Sequence, residues 1–211
     1  MKIARNALGG VAACVILTCP GLAGDDSRRV ADALERPFAA GGRVRLDLSA
    51  GDYRVLAGDG DKIQIEWRVR DVGQLRKVHI TADVDRSNAT IRSEGPSNNF
   101  SVIVRVPSRS DLDVSLTAGD LDVRGIEGHK VIRSRAGDVG VDMVRVDDYA
   151  HVSASLWAGD LKAEPLGISK GGLFRSFEWD GKGRYNLSVR LLAGDIRLYT
   201  NTPASHLPPN P

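Results

Sequence analysis

Apolar and polar residues alternate along most of the chain from Gly42 onward. The apolar positions recur at every second residue in separate stretches, such as Val44, Leu46 and Leu48, then Ile63, Ile65, Trp67 and Val69, then Val102, Val104 and Val106. This period of two is typical of strands that bury one face and expose the other. No later segment sustains the spacing of an amphipathic helix, so the pattern predicts an all-β fold.

The alternating region is flanked by two segments of different texture. Within a short N-terminal segment over 24–36, a weak pattern from Asp25 to Glu35 allows one short helix with Ser27 as its N-cap. The strand-repeat domain then covers 37–200. Residues 201–211 are rich in proline, which predicts a disordered tail.

Residues 1–23 predict a secretory signal peptide. Lys2 and Arg5 form a short basic start, an apolar stretch of small residues covers 7–18, and Gly21-Leu22-Ala23 provides a cleavage site. The apolar stretch is too short to span a bilayer, so we expect no transmembrane span after cleavage. The protein is therefore predicted to be exported, either to the periplasm or to the extracellular space.

Both cysteines of the chain lie inside this leader. A lipoprotein signal with Cys14 as the acylated residue is an alternative, but the apolar run continues beyond that position. After cleavage no cysteine remains, which excludes disulfides, thiolate metal sites and a cysteine nucleophile.

Removing Lys2 and Arg5 leaves 27 basic residues against 27 acidic ones, so the net charge falls from +2 to zero. This balance argues against a nucleic-acid partner.

The tripeptide Ala-Gly-Asp occurs seven times. Five copies share a flanking pattern, with apolar residues at −5, −3, −1, +2 and +4 from the glycine and a single lapse at Ser134. Those copies contain Gly51-Asp52, Gly119-Asp120, Gly137-Asp138, Gly159-Asp160 and Gly194-Asp195. Of the other two, Gly24 lies at the cleavage site and Gly58 lies in a predicted hairpin loop over Ala57–Asp61.

In the five patterned copies, the apolar phase slips by one residue at Gly-Asp. The chain must turn or bulge at such a point, because an unbroken strand would keep its phase. Glycine reaches positive φ without a Cβ clash, and a short aspartate accepts hydrogen bonds from amides that the turn exposes. We therefore predict five structural corners, with each aspartate capping its own corner.

The spacing of the corners favours a β-solenoid. Gly119 to Gly137 is 18 residues and Gly137 to Gly159 is 22, close to the length of one solenoid coil. Gly159 to Gly194 is 35 residues, which leaves room for an insertion in that coil. Gly51 to Gly119 is 68 residues, which leaves room for roughly three coils that lack the motif. In a solenoid, each coil would stack on the preceding one. An antiparallel β-sandwich is the alternative, because hairpins have similar spacing.

Several of these segments resemble the bacterial putative-adhesin domain family. The likeness rests on Val104-Arg105-Val106-Pro107, the run from Leu112 to Val123, Gly125-Ile126-Glu127-Gly128 and the following Ala136-Gly137-Asp138, and it covers roughly Pro37 to Thr200. Members alternate strands with Ser/Ala-Gly-Asp corners. The resemblance implies a right-handed parallel β-helix in an exported or envelope-associated protein, and it supplies no catalytic residues.

The repeated aspartates also suggest calcium, which binds several carboxylate oxygens. Asp120, Asp138 and Asp160 could line one edge if the coils stack in register. Their spacing of 18 residues or more differs from the nonapeptide spacing of calcium-binding β-rolls. We therefore favour the interpretation that these aspartates are structural caps, and we expect no cofactor.

Two pairs of carboxylates that are close in the sequence could indicate an enzyme. Asp83 with Asp85, and Asp147 with Asp148, could provide the acid and base of a polysaccharide-acting enzyme on a β-helix. No third catalytic group accompanies either pair, and the histidines are scattered without ligand spacing. We therefore assign no catalytic residue and predict that the protein is not an enzyme.

Aromatic residues supply the candidate recognition surface. The alternation predicts that Trp157 faces outward beside a corner, and the cluster of Phe174, Phe177, Trp179 and Tyr185 precedes the last corner. Exposed aromatic rings bind sugars and proteins. We name Trp157, Trp179 and Tyr185 as candidates, with the alternative that the cluster plugs the end of the solenoid.

The sequence thus favours a non-enzymatic, adhesin-like interaction module of the cell envelope or surface. Its partner would be a protein or a glycan. An envelope-stress or regulatory accessory protein on the same scaffold is the alternative, and a polysaccharide-acting enzyme is the third possibility.

Overall fold

The computed structural model describes residues 30–70, 72–96 and 99–201, and these residues form strands joined by turns and three short 3₁₀ helices. The strands are β1 (Val30–Pro37), β2 (Arg43–Ala50), β3 (Asp52–Gly58), β4 (Lys62–Val69), β5 (His79–Asp85), β6 (Asn88–Glu94), β7 (Phe100–Pro107), β8 (Asp111–Ala118), β9 (Leu121–Arg124), β10 (Lys130–Ala136), β11 (Val139–Asp142), β12 (Tyr149–Ala163), β13 (Ile168–Asp180), β14 (Tyr185–Ala193) and β15 (Ile196–Tyr199). The 3₁₀ helices cover Val72–Lys77, Val146–Asp148 and Glu164–Leu166. The all-β prediction is confirmed, since the described residues contain no α-helix.

The predicted N-terminal helix is wrong from Val30 onward, because that segment forms β1. This strand pairs antiparallel with β4, from Val30 opposite Val69 to Pro37 opposite Lys62. Pairing along a whole strand outweighs a weak local helical pattern. The leader over 1–23, the predicted cap Ser27 and the proline-rich residues from 202 onward lie outside the described residues.

Strands on the two sides of the corners form two parallel ladders. Before the corners the order is β2, β8, β10, β14 and β12; after them it is β3, β9, β11 and β15, followed by the second half of β12. The segment β14–β15 therefore lies between β10–β11 and β12. The expectation that each coil stacks on the preceding one fails at this point of the sheet.

Each ladder gains one more parallel strand, because β6 pairs with β2 and β7 pairs with β3. Antiparallel strands then continue the sheet at its ends: β5 beyond β6, β4 and β1 beyond β7, and β13 on the free side of β12. The predicted hairpin loop over Ala57–Asp61 is wrong, because β3 and β4 lie on opposite sides of β7 and do not pair with each other. The described strands form one continuous sheet of mixed direction.

The core consists of inward side chains that repeat from strand to strand in register. One such row runs across five strands of the first ladder and contains Leu46, Val114, Ile132, Val189 and Ala154. All five are buried. Burial of each large aliphatic side chain contributes roughly 1.5–3 kcal/mol, so the rows stabilise the register that the corners require.

The five corner glycines are stacked against one another and have positive φ. A Cβ atom added at Gly119 would overlap the carbonyl oxygen of Gly51, and one at Gly137 would overlap that of Gly119. The same holds for Gly194 against Gly137 and for Gly159 against Gly194. Only glycine fits here, because the neighbouring backbone occupies the space of a side chain.

We expect Gly137→Ala to lower the free energy of unfolding by about 3 kcal/mol, because it combines a φ of 105° with a backbone overlap. Gly60→Ala is the matched control: its φ is 80°, but nothing lies within 4 Å of the added Cβ. It should cost about 1 kcal/mol. Denaturant unfolding compares the two, and equal losses would contradict the stacking.

Candidate functional site

The corner aspartates form hydrogen bonds between neighbouring corners. The amide of Asp138 donates to Asp120 Oδ1 (3.1 Å), that of Asp195 to Asp138 Oδ1 (3.0 Å), and that of Asp160 to Asp195 Oδ1 (3.0 Å). The sequence placed each cap on its own corner, whereas the carboxylate accepts from the next one. Asp52 is exposed at the β3 end of this row.

The proposed calcium set is split by the strand order. The corner of Gly194 and Asp195 lies between those of Asp138 and Asp160, so Asp120, Asp138 and Asp160 are not three successive neighbours. Over 30–70, 72–96 and 99–201, no group of three or more His, Cys, Asp or Glu side chains is arranged to hold a metal ion.

We expect millimolar calcium to leave the Tm unchanged if the aspartates act as caps. Asp138→Asn keeps an acceptor oxygen for the Asp195 amide and should be nearly neutral, whereas Asp138→Ala should lower the stability by about 1 kcal/mol. Thermal unfolding with and without chelator measures both effects. A calcium-dependent rise in Tm that Asp138→Asn removes would contradict the cap role.

The carboxylate pairs considered for catalysis lie on different elements. Asp83 and Asp85 are on β5, where Asp83 Oδ2 lies 3.5 Å from Arg92 Nη1. Asp147 and Asp148 are in a 3₁₀ helix, where Asp148 Oδ2 lies 2.9 Å from Arg145 Nη2. Both pairs remain near the surface.

An exposed apolar patch lies on the outer face of the first ladder. Trp157 on β12 is 53% exposed, as its position in the alternation predicted, and Phe174 on β13 is 73% exposed. Their ring centroids are 5.9 Å apart with the planes inclined by 56°. Leu192, 52% exposed, completes what we call the apolar patch, and Leu173 is also exposed, at 61%.

The other predicted aromatic residues pack inward. Phe177 is buried opposite Ala154, and Trp179, opposite Val152, is partly buried against the core. Tyr185 packs edge-on against Tyr149, with ring centroids 6.5 Å apart. Of the candidate residues Trp157, Trp179 and Tyr185, only Trp157 lies in the apolar patch.

Sequence reasoning missed Leu192 and the separate orientation of Phe174. That residue has a left-handed φ of 53° and follows Gly171-Gly172 with only Leu173 between, and Gly172 has a φ of 108°. The irregular backbone interrupts the pairing of β13 between Leu173 and Arg175. The glycine pair was the available signal, because paired glycines inside a strand indicate a bulge.

The apolar patch forms one wall of an open groove of about 440 Å³, which we call the arginine groove. Arg133, Arg175 and Arg190 line it, and none of its eleven lining residues is acidic. A second groove of about 490 Å³ shares Arg133 and Ser134 with it, continues across β8, β2 and β6, and includes Asp47 and Glu94 in its lining. The arginine groove itself is therefore concave, positively charged and partly apolar.

We expect Trp157→Ala to change the free energy of unfolding by less than about 0.5 kcal/mol, because its ring packs on the surface. Trp179→Ala should lower it by about 2 kcal/mol, since it removes part of the core packing. Denaturant unfolding of the two variants gives the comparison. A large loss from Trp157→Ala would show that its role is structural.

Lys130 is the unexpected charged residue of the core. It stands in an inward row between Leu112 and Leu187 and is fully buried. Its Nζ donates to Tyr149 Oη at 2.8 Å and to the carbonyl oxygen of Gly128 at 3.3 Å. Burial lowers the pKa of Lys130 to about 8 and raises the pKa of Tyr149.

Because the pKa of Lys130 is lower in the folded chain than its ordinary 10.5, burying the charged amine destabilises the fold below about pH 8. The penalty disappears as the pH rises toward 10.5. We expect unfolding free energy to increase by about 2 kcal/mol between pH 7 and pH 10. The raised pKa of Tyr149 opposes this only above about pH 10. Denaturant unfolding across pH should show the rise in the wild type and a flat profile in Lys130→Met; a flat wild-type profile would contradict it.

Comparisons with known proteins show a shared fold. No family model matches the sequence. A putative cell adhesion protein from Clostridium sporogenes has a solved structure with a TM-score of 0.54 and 13% identity, covering 82% of this chain and all of its own. The chain has the fold of a solved bacterial protein. The resemblance to the putative-adhesin domain family therefore holds at the level of the fold.

Two further matches are more distant. A putative adhesin from Parabacteroides distasonis has a TM-score of 0.28 and 14% identity over 56% of this chain and 58% of its own, too low to carry an argument. A G-type lectin S-receptor-like serine/threonine-protein kinase from Arabidopsis thaliana is 31% identical over 112 residues, 47% of this chain. The chain spans only 13% of that kinase.

Among residues 30–70, 72–96 and 99–201, no helix has the length and apolar character needed to cross a bilayer.

Proposed function

We propose that the chain is an exported, non-enzymatic interaction module of the cell envelope or surface. The observation that carries this proposal is the apolar patch beside the arginine groove. Three large apolar side chains of the groove, Trp157, Phe174 and Leu192, are more than half exposed on adjoining strands, where burial against a partner would remove them from water. The name of the Clostridium sporogenes protein agrees with an adhesin-like role.

The scaffold for this role is, we propose, a right-handed β-solenoid closed at its ends by antiparallel strands. Two parallel ladders that meet at stacked corners support this interpretation. A rigid stack of this kind presents side chains on its outer face at fixed spacings. Such a surface suits binding without conformational change.

Export is proposed from the N-terminal sequence and the composition. Residues 1–23 carry the features of a secretory leader, and both cysteines lie within them. The periplasm and the extracellular space are equally compatible with these features.

The arginine groove supports binding more than catalysis. Paired carboxylates are the usual acid and base of polysaccharide hydrolysis, and the lining residues of this groove include none. The guanidinium and hydroxyl groups that line the groove can form hydrogen bonds with a ligand, and its aromatic rings provide apolar contact area.

The test is binding of the purified chain to envelope fractions of the organism that encodes it. Trp157→Ala with Phe174→Ala should weaken binding at least tenfold without changing the Tm, because both side chains are exposed. Lys162→Ala, on the outer face of the second ladder, is the control and should bind as the wild type does. Equal binding by the double variant and the wild type would overturn the proposal.

A further inference from the structure

We propose that the arginine groove binds an anionic polysaccharide. Sugar rings would pack on Trp157 and Phe174 while acidic groups bind the guanidinium groups of Arg133 and Arg190. This inference rests on the proposed function and names the chemical class of its ligand.

The first argument is a row of polar side chains that crosses four neighbouring strands. Arg133 on β10 lies opposite Arg190 on β14, which lies opposite Ser155 on β12, and Ser155 lies opposite Ser176 on β13. All four residues line the groove. Neighbouring strands are about 4.8 Å apart, so the row spans about 14 Å. An extended polymer lying across the strands would meet all four groups.

A second, more apolar row runs beside the first. It lies two residues nearer to the corners on the first three strands. Its members are Arg135, Leu192, Trp157 and Phe174, each of which lies between two positions that pair across the strands. Two residues along a strand correspond to about 7 Å, so the two rows are one side-chain width apart. A single polymer chain can therefore contact the charged row and the aromatic row together.

The charge of the groove selects an anion. Arg133 is 2.7 Å from Asp113, but Arg190 has no ion pair among the residues that the structure describes. Arg175 donates its Nε to the carbonyl oxygen of Gly171 at 2.6 Å and contributes further positive charge. Like charges on adjacent strands repel each other, so the Arg133–Arg190 pair is stabilised by a bound anion. Guanidinium groups bind carboxylates and sulfates through two parallel hydrogen bonds.

The surrounding groups favour a glycan over other polyanions. The hydroxyls of Ser155 and Ser176 can donate to and accept from sugar hydroxyls, and the inclined rings of Trp157 and Phe174 present apolar faces beside them. An acidic peptide would gain main-chain hydrogen bonds only at a strand edge, whereas these rows lie on the face of the sheet. A membrane surface would place the arginines and the apolar side chains in different layers, the headgroups and the acyl chains. Here both kinds of side chain line the same groove.

Calorimetric titration of the full chain with polygalacturonate tests the inference, with dextran of similar length as the neutral polymer. We expect binding to polygalacturonate that weakens as sodium chloride is added, because salt screens the arginines, and no binding to dextran. Arg190→Ser should weaken binding at least tenfold. Arg54→Ser, which removes an exposed arginine from the second ladder, is the matched control and should leave it unchanged.

Three results would overturn the inference: equal binding of dextran, equal effects of Arg190→Ser and Arg54→Ser, or tighter binding of anionic vesicles or polyglutamate than of polygalacturonate. Envelope binding that depends on Trp157 and Phe174, with no affinity for polygalacturonate, would remove the ligand class and leave the interaction module standing. Polygalacturonate binding that depends on Arg190, with envelope binding insensitive to the apolar patch, would support the groove and contradict the envelope role.

Discussion

The rest of the structure depends on how closely neighbouring corners approach. At four steps of the stack, a Cβ atom on one glycine would overlap the carbonyl oxygen of the next glycine. The amides also link the corners: Gly137 donates to the carbonyl of Ala193, and Gly194 to that of Ala158, each at 3.0 Å. Each corner joins a strand of the first ladder to a strand of the second ladder. The contact between neighbouring corners therefore fixes the register of both ladders at once.

Register then decides which side chains share a row on either face. Inside, it aligns the apolar residues that form the core, and it also brings Lys130 into that core beside Tyr149. Outside, the same register sets Arg133 beside Arg190 and brings Trp157 next to Phe174. The arginine groove is thus a direct consequence of the corner geometry, and the loops contribute little to its lining.

Local features were predictable from the sequence and non-local ones were not. The corners and the exposure of Trp157 follow from apolar phase over a few residues. The position of β14 between β10 and β12 does not, because strand order depends on contacts between distant segments. The N-terminal helix prediction failed at Val30 for the same reason. The pairing of Trp157 with Phe174 requires both that order and the irregular backbone at Gly172.

The strand order is the central claim, since it places Arg190 between Arg133 and Ser155. In a chain carrying Cys14→Ser and Cys19→Ser, cysteines introduced at Ser153 and Ser188 test it, because the two Oγ atoms are 3.2 Å apart. We predict that this pair forms a disulfide on oxidation, detected by mass spectrometry. Cysteines at Val131 and Ser153 should stay reduced, because β14 separates them by two strand spacings of about 4.8 Å each. A disulfide in the second pair and none in the first would contradict the order.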